Sequence, residues 1–67
     1  MMDERIRTKV RKALADGYLT PAQLSRVLMF RTKKNLQKFI DTINAMYSNE
    51  EIMPVTFEDE KYLALRK

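Results

Sequence analysis

Residues 19–28 contain the clearest local structural signal in the sequence and read Leu19-Thr20-Pro21-Ala22-Gln23-Leu24-Ser25-Arg26-Val27-Leu28. Thr20 suits an N-cap, because its hydroxyl can accept a hydrogen bond from a free backbone N–H of the first helical turn. Pro21 follows at the first helical position, where its missing N–H costs nothing, and Gln23 completes a capping box. The stretch predicts a short helix that ends near Met29-Phe30. Its inward side chains are expected to be Leu24, Val27 and Leu28.

A basic amphipathic helix is predicted upstream of this stretch, from about Asp3 to Asp16. The apolar side chains of this segment share one narrow face: Ile6, Val10, Ala13 and Leu14. Asp3 and Glu4 lie in the first turn, where they favour the positive end of the helix dipole, and Asp16-Gly17 supplies a stop. Tyr18-Leu19 then leaves room only for a connector or for one residue pair of strand.

A third helix is predicted from about Thr32, a second candidate N-cap, to about Ser48. One arc of its helical wheel is apolar and is expected to face the core: Leu36, Phe39, Ile40, Ile43, Met46 and Tyr47. The opposite side is expected to face solvent: Lys34, Gln37, Lys38, Asp41, Thr42 and Ala45. We interpret the aromatic and aliphatic arc as core, so it is given no role in binding a ligand.

After Asn49 the apolar period changes from 3.6 residues to 2, which is typical of strands. We predict two strands joined by a four-residue turn, Glu58-Asp59-Glu60-Lys61. The packed face of this hairpin is expected to carry Met53, Val55, Phe57, Leu63 and Leu65. Pro54 has no N–H to donate, so its nitrogen should face a free edge. The predicted fold class is mainly α with a C-terminal β-hairpin (α+β), a three-helix core plus wing in one domain over residues 1–67.

Charge is distributed unevenly along the 67 residues, whose net charge is +4. Residues 1–40 contain ten Lys or Arg against three acids, whereas residues 41–67 contain three against six. Such asymmetry favours a basic face that meets nucleic acid or another acidic surface, although a solvated helix is the commoner reason for any single cluster of lysines.

The composition argues against several other classes of protein. The chain contains no His and no Cys, and therefore lacks the usual general base near neutral pH, a thiolate nucleophile and a soft metal site. We therefore expect no enzyme, no catalytic residues, no cofactor and no bound metal. The charged start and the absence of a long apolar run predict a cytoplasmic protein without a membrane partner.

The order of the elements resembles the winged helix-turn-helix family of DNA-binding domains. Residues 19–28 resemble the second helix of that family, residues 36–46 its third helix, and residues 52–65 its wing. The resemblance implies that the third helix enters the major groove, with the side chains of its N-terminal half at base edges. The implied recognition surface is Lys33, Lys34, Gln37, Lys38 and Asp41. The implied phosphate contacts are Arg26, Arg31 and Thr32, joined by some of Arg5, Arg7, Lys9, Arg11 and Lys12.

The chain departs from the family in two regions. Met29 stands where the turn before the third helix commonly has Gly, and Leu36 comes one place later than the family's apolar residue. The wing tip, Glu58-Asp59-Glu60, would be repelled by phosphate, so no wing contact to DNA is expected.

The expected function is that of a small regulatory protein that binds double-stranded DNA and controls transcription or replication. The alternative is a protein-protein interaction module on the same fold, such as a phage or mobile-element regulator of a host protein. RNA binding is less favoured, because no aromatic residues are expected on an exposed sheet. Whether the protein forms a homodimer is left open.

Overall fold

The computed structural model of the protein describes residues 3–66. Met1, Met2 and Lys67, at the ends of the predicted domain, lie outside the described residues. Three helices precede an antiparallel two-stranded hairpin, which confirms the predicted fold class. The elements are α1 (Glu4–Leu14), α2 (Pro21–Val27), α3 (Lys33–Ser48), β1 (Ile52–Phe57) and β2 (Glu60–Leu65). No helix in this part of the chain is long and apolar enough to cross a membrane.

Each helix begins at a side-chain cap. The Asp3 carboxylate accepts hydrogen bonds from the backbone N–H groups of Arg5 and Ile6. At α2 the predicted capping box is confirmed, because the Gln23 N–H donates to the Thr20 hydroxyl at 3.1 Å and the Thr20 N–H donates to the Gln23 side chain at 3.0 Å. Thr32 caps α3, as predicted. These caps satisfy backbone donors that a helix start otherwise leaves without partners.

The core is drawn from every element: Ile6, Val10, Leu14, Leu24, Phe39, Met46, Ile52 and Leu63. The predicted inward face of α1 is confirmed, with Ala13 partly buried beside it. Leu19 forms a single bridge with Leu63, which is the second of the two alternatives expected for this connector.

The buried face of α3 is rotated from its predicted position. Thr42 was expected to face solvent but is fully buried, and Ala45 is half-buried. The Thr42 hydroxyl donates to the Lys38 carbonyl at 2.8 Å and accepts from the Asp3 N–H at 3.2 Å, so its burial leaves no polar atom unpaired. Ile40 and Tyr47, expected inside, are 48% and 41% exposed. The predictions for these four residues were therefore wrong.

The end of α2 turns sharply toward α3. The Met29 N–H donates to the Arg26 carbonyl and the Phe30 N–H to the Ser25 carbonyl, both at 3.0 Å, which is the Schellman pattern of helix termination. Met29 has φ of 60°, so methionine occupies a left-handed conformation that favours glycine. Since α2 ends at Val27, it is slightly shorter than predicted.

Val27 was predicted to face inward, which is wrong. This side chain is 59% exposed. The buried side of α2 carries Leu24, half-buried Ser25 and Leu28, which turns Val27 out to the rim of the helix. The exposed valine borders the space between α2 and α1.

The hairpin turn contains two residues rather than the four that were predicted. Phe57 pairs with Glu60, so only Glu58 and Asp59 form the turn, and Glu60 and Lys61 belong to β2. The two turn residues have φ of 50° and 66°. Positive φ at both positions is the type I′ geometry, whose twist matches the flanking strands and which usually takes Asn-Gly.

The pairing register also corrects the predicted packed face. Directly opposite residues share a face of the sheet, and Met53, Val55 and Phe57 oppose Ala64, Tyr62 and Glu60. An even-numbered turn therefore cannot place the odd-numbered residues of β1 on the same face as Leu63 and Leu65. The core face instead carries Ile52 and Leu63, with Leu65 partly buried against them. The prediction was right for β2 and wrong for β1.

Pro54 lies where its missing donor costs least. It stands opposite Leu63, whose N–H and C=O both bond to Leu19, at 2.7 and 3.1 Å, and so point away from β1. In an antiparallel pair of this kind the backbone polar groups of both residues point outward. The Pro54 nitrogen therefore faces the free edge of β1, as predicted.

Candidate nucleic-acid interface

The predicted recognition residues lie together on the solvent side of α3. All five are exposed: Lys33, Lys34, Gln37, Lys38 and Asp41. The opposite side of the helix is fixed to the core by Phe39, Thr42 and Met46. Since the buried row holds the helix in one orientation, the polar side chains project from a rigid support.

The three predicted phosphate contacts precede α3 in the chain. Arg26 is in the last turn of α2, Arg31 is in the connection, and Thr32 is the N-cap; all three are exposed. The Thr32 hydroxyl accepts a hydrogen bond from the Asn35 N–H at 3.1 Å. A hydroxyl can donate as well as accept, so capping leaves Thr32 able to donate to a phosphate oxygen.

The cations of this region are not neutralised by neighbouring acids. We define the α2–α3 basic surface as Arg26, Arg31, Lys33, Lys34 and Lys38. Within residues 3–66, none of them takes part in an ion pair of 4.0 Å or less. The charge of this surface is therefore directed at solvent or at a ligand.

Two arginines of α1, unlike the cations of the α2–α3 basic surface, form ion pairs with an acid. Arg7 contacts Glu51 through Nη2 at 2.6 Å and Nε at 2.7 Å, and Arg11 contacts the same carboxylate at 3.2 Å. The hydrogen bond from Arg7 lowers the pKa of the Glu51 carboxyl below its ordinary value, and the charges of Arg7 and Arg11 act in the same direction against partial burial. These two arginines hold α1 to the start of the hairpin, whereas Arg5, Lys9 and Lys12 remain exposed.

Gln37 and Asp41 were both predicted to bind DNA, but their hydrogen bond to each other was not predicted. The Gln37 Nε2 donates to Asp41 Oδ1 at 3.0 Å, one helical turn away. A carboxylate only accepts, so this contact turns the Gln37 NH₂ group toward Asp41 and leaves its carbonyl oxygen and one N–H free. Recognition of adenine by glutamine needs one acceptor and one donor. The spacing of four residues is itself the signal from which this pair could have been found.

The first turn of α3 contains two lysines and no acid. A helix N-terminus carries a partial positive charge, so Lys33 and Lys34 slightly destabilise the helix that bears them. Backbone N–H groups at the same end favour anions. The sequence of this turn thus suits the binding of an anion better than it suits folding alone.

Residues 3–66 contain no group of three or more His, Cys, Asp or Glu side chains that could hold a metal ion. Comparison with protein-family models, with curated proteins and with solved structures found no match to this chain.

Proposed function

We propose that the protein binds double-stranded DNA through the solvent side of α3 and that it regulates transcription or replication by occupying a DNA site. The observation that supports this proposal most directly is the α2–α3 basic surface. Five exposed cations lie at the end of α2, in the connection and in the first two turns of α3, and none has a carboxylate partner within residues 3–66. Duplex DNA offers closely spaced phosphates to such a surface, and their neutralisation releases counterions.

The roles of the side chains follow from their chemistry. Lys33, Lys34 and Lys38 supply affinity through phosphates or through the O6 and N7 atoms of guanine. Gln37 reads adenine with its free carbonyl oxygen and N–H, and Asp41 holds the Gln37 amide in place. Because this amide is already oriented in the free protein, less side-chain entropy is lost on binding.

The phosphate contacts beside α3 come from Arg26, Arg31 and Thr32 in this proposal. They fix the register of the helix on the duplex without reading sequence. The acidic hairpin turn takes no part, because Glu58 and Asp59 would be repelled by the DNA backbone. DNA binding thus depends on the helices and not on the hairpin.

The test compares two variants that lose the same charge. Lys33→Ala/Lys34→Ala removes two cations from α3, and Lys61→Ala/Arg66→Ala removes two exposed cations from β2 and the residue that follows it. Affinity for duplex DNA is measured by fluorescence anisotropy over a range of salt concentrations. The α3 variant should reduce the slope of log affinity against log salt by roughly 2, because each phosphate contact contributes about 0.9. Equal losses in the two variants would contradict the proposed interface.

Sequence preference is tested on a site selected from a random duplex pool. Gln37→Ala should weaken binding to the selected site by about 1 to 3 kcal/mol and leave binding to random DNA unchanged. Asp41→Ala frees the Gln37 amide and should cost less than Gln37→Ala. If Gln37→Ala weakened binding to all sequences equally, Gln37 would have no role in base recognition.

A second candidate function, protein interaction, is favoured by the hairpin. Met53 and Phe57 are exposed on the face of the sheet that points away from the core. Apolar side chains beside acids are unsuited to a DNA contact but suited to a protein surface.

A further inference from the structure

The face of the hairpin that points away from the core is largely apolar, and its Met53 and Phe57 side chains are exposed. Six strand residues lie on it, the acidic Glu60 and five uncharged residues: Met53, Val55, Phe57, Tyr62 and Ala64. Tyr18 borders this face and packs edge-to-face on Tyr62, with ring centroids 5.0 Å apart. Phe57 lies at the end of the face nearest the turn and is 53% exposed. Exposed aromatic side chains of this kind are characteristic of protein interfaces.

Acidic side chains surround Phe57. Glu60 is directly opposite Phe57 and therefore on the same face, and Glu58 and Asp59 form the adjoining turn. None of the three acids forms an ion pair of 4.0 Å or less within residues 3–66. Lys61 belongs to the opposite face, because successive strand residues alternate. We define the hairpin tip as Phe57, Glu58, Asp59 and Glu60: one phenyl group with three carboxylates beside it.

The complementary feature lies on the helical side of the same molecule. A depression of about 220 Å³ between α1 and α2 is lined by Lys9, Lys12, Ala13, Val27 and Leu28. Ala13, Val27 and Leu28 make its surface apolar. Lys9 and Lys12 lie on α1, three residues apart and both exposed, so they follow one another along one side of the helix. No residue of the hairpin tip lines this depression.

The two features are complementary, because both offer apolar surface and their charges have opposite sign. The α1–α2 depression offers apolar surface flanked by ammonium groups, and the hairpin tip offers a phenyl group flanked by carboxylates. The exposure of Val27, which the sequence pattern placed inside, is accounted for if this side chain meets an apolar group of another molecule. We propose that the hairpin tip of one copy of this protein docks in the α1–α2 depression of a second copy.

Such an interface is heterologous, since it joins two different surfaces. Each copy then has one tip and one depression to offer, and association continues beyond a dimer unless the copies close into a ring. A single aromatic side chain buries about 150 to 250 Å². Stable interfaces bury about 1,200 Å² or more, so the association is weak in dilute solution and becomes significant when copies are brought close together.

The experiment uses two variants, each with one half of the interface broken. Phe57→Ser removes the phenyl group, and Lys9→Glu/Lys12→Glu reverses the charge of the depression. All these residues are exposed, and circular dichroism verifies folding. Sedimentation velocity and NMR diffusion, without DNA, are recorded up to about 1 mM protein, the range in which weak association is detected. The parent should associate with rising concentration, and each variant alone should stay monomeric.

The decisive measurement is the equimolar mixture of the two variants. The charge-reversed chain retains a tip and the Phe57→Ser chain retains a depression, so the mixture should form one-to-one dimers and nothing larger. A monomeric mixture beside an associating parent would overturn the proposal and indicate a symmetric interface. A parent that stays monomeric to about 1 mM would overturn it as well.

Two further variants distinguish this contact from nonspecific hydrophobic association and from an effect of charge repulsion alone. Ile40→Ser removes an exposed apolar side chain of α3 and should leave association unchanged. Combining Glu58→Lys/Glu60→Lys with Lys9→Glu/Lys12→Glu in one chain should restore association, because both charges of the contact are exchanged. Failure of this exchange would remove the electrostatic part of the proposal. None of these readouts involves DNA, so their outcome is independent of the proposed DNA binding.

Discussion

The start of α3 and the turn of the hairpin are alike in one respect and opposite in another. Both use residues that stability alone would not select. Lys33 and Lys34 stand at the positive end of a helix dipole. Glu58 and Asp59 adopt left-handed conformations in a turn that usually takes Asn-Gly. The charges have opposite sign, so the two regions suit surfaces of opposite charge.

The two regions also differ in how firmly they are held by the core. The solvent side of α3 is backed by Phe39, Thr42 and Met46, all buried. In the hairpin only the end distant from the turn reaches the core, through Ile52 and Leu63, while Thr56 and Lys61 next to the turn are exposed. A rigid basic helix suits recognition of a regular duplex, whereas a projecting acidic tip suits insertion into a depression. Locally unfavourable residues of this kind are a reason to look for function at each place.

The largest change in stability is expected at the hairpin turn. Glu58→Asn/Asp59→Gly installs residues that accept positive φ and should raise the free energy of unfolding by about 1 to 2 kcal/mol. Urea denaturation measures the difference. Glu60→Gln is the matched control, since it removes an acid of the same tip from a strand position and should leave stability nearly unchanged. Unchanged stability in the double variant would show that the turn is not strained.

The same double variant should affect DNA binding and self-association differently. Loss of two acids should leave affinity for DNA unchanged or increase it, because acids near phosphate can only repel. Self-association should weaken, since the tip loses two of its three carboxylates. A marked loss of DNA binding would instead mean that the tip contacts DNA or a DNA-bound group.

Sequence patterns predicted those parts of the fold that depend on neighbours in the chain. The α1 face, the capping box of α2 and the period-2 hairpin all follow from residues at most a few positions apart. The predicted packed face of β1 was wrong because it depends on the length of the turn. A turn of Glu and Asp does not have the composition that marks a two-residue turn. The prediction for Thr42 was wrong because a polar side chain was assumed to face solvent. Its hydrogen-bond partner, the Asp3 N–H, is 39 residues away and could not be identified from local sequence.

The candidate site was predicted in part. The exposed positions of Lys33, Lys34, Gln37, Lys38 and Asp41 follow from helical spacing. The pairing of Arg7 and Arg11 with Glu51 joins residues 44 and 40 positions apart, for which a single sequence provides no signal. The α1–α2 depression depends on the rotation of α2, which left Val27 outside. Tertiary packing, rather than local propensity, decided each of these features.

A smaller effect is expected at Glu51, where stability depends on pH. The pKa of Glu51 is lowered in the folded protein. The contribution of this carboxylate to the free energy of unfolding is therefore fully present above the ordinary pKa of about 4.5 and is lost as pH falls through the lowered folded-state pKa. Glu51→Gln removes the charge and should lower the melting temperature at neutral pH. The difference between parent and variant should shrink as the pH falls below 4.5.

Glu50→Gln is the control for this pH dependence. The neighbouring Glu50 lies 3.8 Å from Arg66, and both side chains are more than half exposed. Exposed pairs of this kind contribute little, so this variant should match the parent at every pH. If Glu51→Gln and Glu50→Gln gave the same melting curves, Arg7 and Arg11 would not be committed to Glu51, and both would be available to a ligand.

The smallest change in stability is expected from Lys33→Glu, and it tests why lysine stands at the start of α3. An acid in the first turn interacts favourably with the helix dipole, so the variant should gain a few tenths of a kcal/mol, about 0.3 to 1 at most. DNA affinity should fall, and the slope of log affinity against log salt should decrease by roughly 1. Lys61→Glu makes the same charge change on β2 and should affect neither stability nor the slope. A Lys33→Glu variant that is more stable and binds DNA as well as the parent would assign Lys33 to a solvated helix face. A variant that gains stability while losing DNA affinity would instead show that lysine is kept there at a cost to folding, because the start of α3 meets phosphate.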